Sequence, residues 1–212
     1  MIIGINKEIN YTPIYLPMQE DYQMEVVGCK LYLKNRVKLN IFNIYIPEGN
    51  LLLSDCGLEK IIDTVPGGEK VLIIGDLNAH NGLWCGCGND NRNGKTTYEF
   101  LMKNSDICLL TPKDLPTRIN SRTGRSVTID LTIGSASLAS KVSITSDKES
   151  NLYSDHFPIL VEISQDNSIY ANYEESSKVN LKKINWEAFK NKLQETDVQS
   201  RVNCCEDVSS YR

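Results

Sequence analysis

The chain has 212 residues, with 23 Lys+Arg against 27 Asp+Glu, 41% hydrophobic and 24% charged residues. These are the proportions of a globular protein, and they exclude wholesale disorder, a collagen-like repeat and a coiled-coil rod. No apolar run approaches the roughly 20 residues of a membrane-spanning helix, and the first residues show no secretory leader. The expectation is a soluble chain of the cytoplasm or nucleus.

Residues 26–33 and 37–46 are β-rich runs separated by Lys34-Asn35-Arg36, the pattern of a hairpin. Leu51, Leu52, Leu58, Ile61, Ile62 and Val65 recur at helical spacing until Pro66-Gly67-Gly68 stops the helix. Val71-Leu72-Ile73-Ile74 follows, a short continuous apolar strand of the kind buried on both faces. A Gly/Asn-rich loop then spans 81–94, a short helix covers 97–103, and strands are expected at 107–110, 127–133 and 157–163. Strands mixed with helices and hairpins indicate an α/β or α+β fold.

After Ile163 the composition shifts. Residues 165–184 read as a polar linker. Residues 185–212 read as a helical segment, with Asn185 as N-cap, Ile184 and Phe189 as a hydrophobic staple, and Trp186, Phe189 and Leu193 as the apolar face.

The seven cysteines (29, 56, 85, 87, 108, 204 and 205) form no framework spacing, and the thiols are expected to be reduced. Cys85-Gly-Cys87 with His80 nearby lacks the fourth ligand of a zinc site. The net charge of −4 does not mark a nucleic-acid binder. Residues 113–125, however, hold one acid, Asp114, against Lys113, Arg118, Arg122 and Arg125. Such a patch can steer a polyanion, or can be a solvated loop.

Three clusters could carry chemistry, each at the end of an apolar strand, where sheets place functional groups. In Gly75-Asp76-Leu77-Asn78-Ala79-His80, Asp76 and Asn78 are two apart and share a side if the strand continues. A carboxylate beside an amide can orient water and bind a phosphoryl oxygen; the pair can equally be an Asx turn. In Ser154-Asp155-His156, one of only two histidines precedes an apolar strand and could act as a general base or as a phosphate contact. A serine-hydrolase reading is poor, since adjacent Ser, Asp and His cannot line up as nucleophile, base and orienter. Asp130 lies amid alternating apolar residues, where a carboxylate needs a partner, and His156 is the obvious one. Tyr45, in Asn43-Ile44-Tyr45-Ile46-Pro47, also ends a strand.

The order of these clusters resembles the endonuclease/exonuclease/phosphatase superfamily, and within it the endonuclease domain of non-LTR, jockey-type retrotransposons. The likeness rests on Tyr45-Ile46-Pro47, Gly75-Asp76-Leu77-Asn78-Ala79-His80, the strand with Ile129-Asp130, and Ser154-Asp155-His156-Phe157-Pro158. Trp84, Asn91-Arg92-Asn93-Gly94-Lys95 and Pro116-Thr117 add to it, and the segment around Trp186 looks like the one leading to a reverse transcriptase.

The resemblance implies a four-layer α-β-β-α sandwich of two mixed sheets flanked by helices, and a phosphodiester hydrolase that nicks duplex DNA with Mg2+, or Mn2+ in its place. By position it makes Asp76 the residue that orients or activates water and Asn78 the holder of the scissile phosphate. His156 becomes a phosphate and proton-transfer contact oriented by Asp130, and Asp155 a metal-side carboxylate. Tyr45 lines the phosphate pocket, with Thr117 and Ser154 in support. Beside the resemblance, the residues themselves read as a basic hairpin between 117–119 and 126–129, with Arg118, Arg122 and Arg125 as the expected DNA contacts and its tip expected to enter the minor groove.

The family's opening strands carry an Asn and then a Glu that is the principal metal ligand. Here Met1-Ile2-Ile3-Gly4-Ile5 resembles the strand after that Glu, and no candidate precedes it. The resemblance therefore implies a chain lacking its first strands and weaker in magnesium binding. Two other readings share these residues. One is a phosphodiesterase of this fold acting on a phosphoinositide, a sphingolipid or an abasic site. The other is a catalytically impaired remnant that binds DNA or a partner.

Overall fold

The structure, a computed structural model, describes residues 1–16, 24–48, 57–86, 90–120, 122–150 and 154–164. In chain order it contains β1 (Asn10–Ile14), β2 (Glu25–Tyr32), β3 (Lys38–Tyr45), α1 (Gly57–Asp63), β4 (Lys70–Asp76), α2 (Arg92–Lys103) and β5 (Ile107–Leu109). There follow β6 (Arg118–Ile119), β7 (Ser126–Val127), β8 (Asp130–Ser135), β9 (Val142–Ser146) and β10 (Ile159–Ile163). The expected linker at 165–184, the helical segment at 185–212 and the start of the helix at Leu51 and Leu52 lie outside the described residues.

Six strands form one mixed sheet in the order β1-β2-β3-β4-β8-β5. Its β3–β4 pair is parallel and its other pairs antiparallel. As strand alternation requires, the sheet's residues divide between two cores. Phe42, Ile44, Val71, Ile73, Leu131 and Ile133 pack with Leu58 and Ile61 of α1, Phe100 and Leu101 of α2, and Trp84. On the opposite face Leu39 and Leu72 meet Leu138, joined by Val142 of β9 and by Val161 and Ile163 of β10. β4 is thus covered on both sides, as its unbroken apolar run indicates. Among the described residues the layers are helices, the six-stranded sheet, and the antiparallel β9–β10 ladder. The architecture is an α/β fold built on a mixed sheet, as expected.

Several local expectations need correction. Residues 1–6 carry no strand, although Met1-Ile2-Ile3-Gly4-Ile5 has a strand-like composition. Asn10–Ile14 instead forms the sheet edge, where Pro13 is tolerated because one side of the strand needs no donor. Helix α2 starts at Arg92, inside the expected loop, because the Asn91 side chain accepts the Gly94 N–H (2.8 Å) and caps it. The expected strand at 127–133 is broken at Thr128 and Ile129. There the Thr117 hydroxyl takes the N–H groups of Ile129 and Asp130 at 3.0 and 3.1 Å. Strand β9 was not anticipated, although Val142-Ser143-Ile144-Thr145-Ser146 alternates as a half-buried strand does. Cys29 and Cys108 are free, as expected, and burial raises both thiols' pKa. Cys85 is disulfide-bonded, against the expectation of reduced thiols.

At the sheet end remote from Tyr45, Glu69 accepts from Lys30 (2.8 Å), Lys38 (3.2 Å) and Asn40 (3.1 Å). The Lys30 bond is the main reason its carboxyl is lowered from 4.5 to about 2. A depressed folded-state pKa gives stability that is present above the unfolded value and lost as the pH falls through the folded one. Urea unfolding free energy should therefore decline between pH 4.5 and 2, and Glu69→Gln should flatten that decline. An acid limb unchanged in the variant would remove Glu69 from the account.

Candidate active site

Three strand ends meet at one edge of the sheet. Tyr45 and Asp76 are the last residues of the parallel neighbours β3 and β4 and stand opposite each other; Asp130 opens antiparallel β8 opposite Asp76. Parallel strands bring their C-terminal ends together, and an antiparallel neighbour brings its start to the same edge. The row Tyr45–Asp76–Asp130 is therefore set by register, and a one-residue slip would turn any of the three to the other face.

His156 reaches this row from the loop before β10. Its segment is laced to β6: Phe157 donates to the Thr117 carbonyl (2.7 Å), Ile119 donates to the Asp155 carbonyl (2.8 Å), and Arg118 forms a β-bridge with His156. The Ser154 hydroxyl oxygen accepts the His156 N–H at 3.1 Å. The imidazole Nδ1 lies 3.0 Å from both Asp130 oxygens, and Nε2 lies 3.9 Å from Asp76 Oδ2. Thr117, fully buried, holds the backbone at Asp130 through the two bonds described above.

Asn78 turns the chain out of the sheet with φ 45, a left-handed conformation uncommon outside glycine. Its N–H donates to Asp76 Oδ1 (2.9 Å), and its side-chain amide donates to the Ile46 carbonyl (3.0 Å) and to Asp76 Oδ2 (3.3 Å). The residues read as either an Asx turn or a phosphate-binding pair form the turn, with the amide lying against the carboxylate.

Burial is the main cause of a raised Asp76 pKa. The Asp130 charge adds to it, while the Asn78 N–H and the nearby His156 and Arg118 oppose it. A carboxylate so placed is more basic than an exposed one. Asp155 does not join this group. Its Oδ2 accepts from Arg118 Nε at 2.7 Å, which lowers the carboxyl's pKa and raises that of the guanidinium.

Asp76, Asp130 and His156 each offer a donor atom within 4.8 Å of the others, the one such group among the described residues. Two crowded carboxylates, one with a raised pKa, hold an excess of negative charge that a cation would relieve, so the donor set could hold a divalent metal ion. β6 and β7 pair as a hairpin whose tip is closed by Asn120 N–H to Arg125 C=O (2.9 Å) and by Gly124 at φ 69. Arg122 and Arg125 on it are exposed, while Arg118 at its base is held by Asp155.

Two contributions escaped the sequence reading. Arg118, expected on DNA, is an ion-pair partner of the loop that carries His156. Asn91 and Asn93, in a stretch that reads as loop, bond the backbone of the Asp76–His80 turn. Two asparagines flanking a helix start were the available signal.

No curated protein sequence matches the chain. The family model described as endonuclease-reverse transcriptase matches residues 39–160. Among solved structures, the chain resembles the endonuclease domain of TRAS1, a telomere-specific non-LTR retrotransposon. The TM-score is 0.61 at 18% identity, over 76% of this chain and 72% of that one. It also resembles an endonuclease/exonuclease/phosphatase family protein from Leptotrichia buccalis C-1013-b (TM-score 0.51, 17% identity, 66% and 54% covered). A third is the 3′ phosphatase NExo from Neisseria, solved with a product DNA hairpin (TM-score 0.50, 15% identity, 76% and 72% covered). At these identities the likeness is one of fold.

Proposed function

The chain belongs to the endonuclease-reverse transcriptase family, and from that membership we propose that it hydrolyses phosphodiester bonds, nicking duplex DNA as the endonuclease part of a non-LTR retrotransposon. The observation that carries the reading is the Asp130–His156–Asp76 arrangement at the sheet end. Asp130 accepts the hydrogen bond from Nδ1–H, which leaves Nε2 facing Asp76 and the phosphate. Asp76, made more basic by burial, accepts the proton of the attacking water, or His156 shares that task. The Asn78 amide, held beside Asp76, contacts the scissile phosphate, and Tyr45 lines the pocket at the adjoining strand end. Thr117 and Ser154 keep Asp130 and His156 in place through their backbone bonds. The Asp76 and Asp130 carboxylates would hold a magnesium or manganese ion, Asp155 being engaged by Arg118, and that ion would polarise the phosphoryl oxygen and stabilise developing charge. The parent element would supply a reverse transcriptase domain as partner.

The test is nicking of supercoiled plasmid with magnesium and with EDTA, beside His156→Ala. Metal-dependent nicking that falls by about 100- to 10,000-fold in the variant is the expected result. Cleavage of only a phosphoinositide, sphingolipid or abasic-site substrate would keep the chemistry and change the substrate. DNA binding without cleavage would favour the impaired remnant.

The exposed tip arginines are the proposed minor-groove contacts. Arg122→Ala with Arg125→Ala should weaken duplex binding and reduce the slope of log K against log salt by about 2, roughly 1 for each lost phosphate contact. Fluorescence anisotropy across a salt series measures it. An unchanged slope would place the DNA elsewhere.

A further inference from the structure

The turn that carries Asp76 and Asn78 is not held by its own residues alone. Asn91 Nδ2 donates to the Asn78 carbonyl at 2.7 Å, and Asn91 Oδ1 accepts the His80 N–H at 2.9 Å and the Gly94 N–H at 2.8 Å. One side chain therefore bridges three backbone groups, two in the turn and one in the first turn of α2. The backbone joins the same contact, since the Asn91 N–H donates to the His80 carbonyl at 3.0 Å. Asn93, also at the head of α2 and buried, donates to the Leu77 carbonyl at 2.9 Å and the Pro47 carbonyl at 3.3 Å. The helix start and the turn are pressed together so closely that a Cβ on Gly94 would sit 1.8 Å from the His80 carbonyl oxygen.

This exceeds what helix capping requires. A cap needs one acceptor for the Gly94 N–H, and serine or aspartate supplies that as well as asparagine. The Asn91 donor goes instead to Asn78, the residue with φ 45. A non-glycine residue in that region persists where its surroundings over-determine it. If Asn78 relaxed toward an ordinary conformation, its N–H and amide would leave Asp76, whose carboxylate faces His156.

We infer that Asn91 is a positioning residue of the active site: its amide clamps the left-handed Asn78 turn to the start of α2 and thereby fixes Asp76 and Asn78 against His156. The inference rests on the phosphodiesterase reading for its catalytic consequence, while the clamp itself has a readout that needs no activity.

Two variants separate the clamp from the cap. Asn91→Asp keeps both accepting bonds and the cap but cannot donate to the Asn78 carbonyl. Asn91→Ser keeps the cap and is too short for the turn. In both, the amide resonances of α2 at Thr97 and beyond should stay in place, while those of Asn78 and Asp130 and the His156 ring protons move in 1H–15N and 1H–13C spectra. Nicking should fall roughly 10- to 100-fold in kcat, as expected when reacting groups are misplaced by about an ångström, with KM for DNA little changed.

Resonances of Asp130 and His156 that stay unmoved in both variants would overturn the clamp whether or not the protein cuts DNA. Wild-type behaviour of Asn91→Asp in both readouts would also overturn it, leaving Asn91 as a cap. Shifted resonances in the variants, with a wild-type chain that cuts no DNA, would uphold the clamp and dismiss the DNA-nicking reading.

Discussion

Replacing Asp76 with Asn is expected to lower metal-dependent nicking by about a thousandfold, or about 4 kcal/mol of transition-state stabilisation. The substitution is isosteric. An Asn oxygen can still accept the Asn78 N–H that Asp76 Oδ1 now takes at 2.9 Å, so the main bond of the turn is retained while the longer Asn78 amide bond at 3.3 Å is lost. What disappears is the charge that would draw in the cation and the basicity that would take a proton from water. The same charge is a burden on the fold, because burial and the neighbouring Asp130 both disfavour it. In EDTA the variant should therefore melt higher, by roughly 2–4 °C for each kcal/mol of relieved repulsion. Higher stability with lost function is the mark of a site whose charge is kept for chemistry. Single-turnover nicking and calorimetry on the same preparations decide it. Activity within tenfold of the parent would mean that neither proton nor cation depends on Asp76.

Gly75→Ala should produce a large loss of stability. A Cβ at this position would lie 1.9 Å from the Ile44 carbonyl oxygen and 2.8 Å from its carbon. Ile44 is the parallel register partner of Gly75 and is wholly buried, so relief must come from backbone in the middle of the sheet. Strands β3 and β4 would have to part beside Tyr45 and Asp76, which adds loss of the site to loss of stability. The expected cost is about 4 kcal/mol, at the upper end for a single substitution, against a total of about 5–15 kcal/mol for an ordinary domain. Gly82→Ala is the control: its Cβ would meet nothing within 4 Å, and the effect should stay within about 0.5 kcal/mol. Urea titrations of the three proteins measure both, and equal midpoints for Gly75→Ala and Gly82→Ala would refute the packing argument.

The parts of the site that were legible in the sequence are those written in local signals. Val71-Leu72-Ile73-Ile74 announces a buried strand, and Gly75-Asp76 announces its end. The acid at Asp130 announces a partner, because an unpaired carboxylate among Leu131 and Ile133 would be costly. His156 met that need at 3.0 Å. Less legible was whatever depends on competition for backbone donors. The Thr117 hydroxyl takes two N–H groups that an uninterrupted strand would have used, so the 127–133 run breaks. Asn91 converts apparent loop into helix by capping it. Edge strand β1 was hidden by its exposure, since a strand open to solvent on most of its residues carries no apolar alternation.

By itself, then, the sequence determined the strand ends that hold Tyr45 and Asp76, the α/β class and the pairing of His156 with a buried acid, Asp130. Periodicity and the cost of burying charge act within a few residues and can be read there. Only the tertiary structure decided that the three strand ends share one edge, that Arg118 binds Asp155, and that two asparagines at the head of α2 lock the turn after β4. Those outcomes depend on strand register and on which hydrogen-bonding groups meet once the chain has closed, and both are properties of the packed fold.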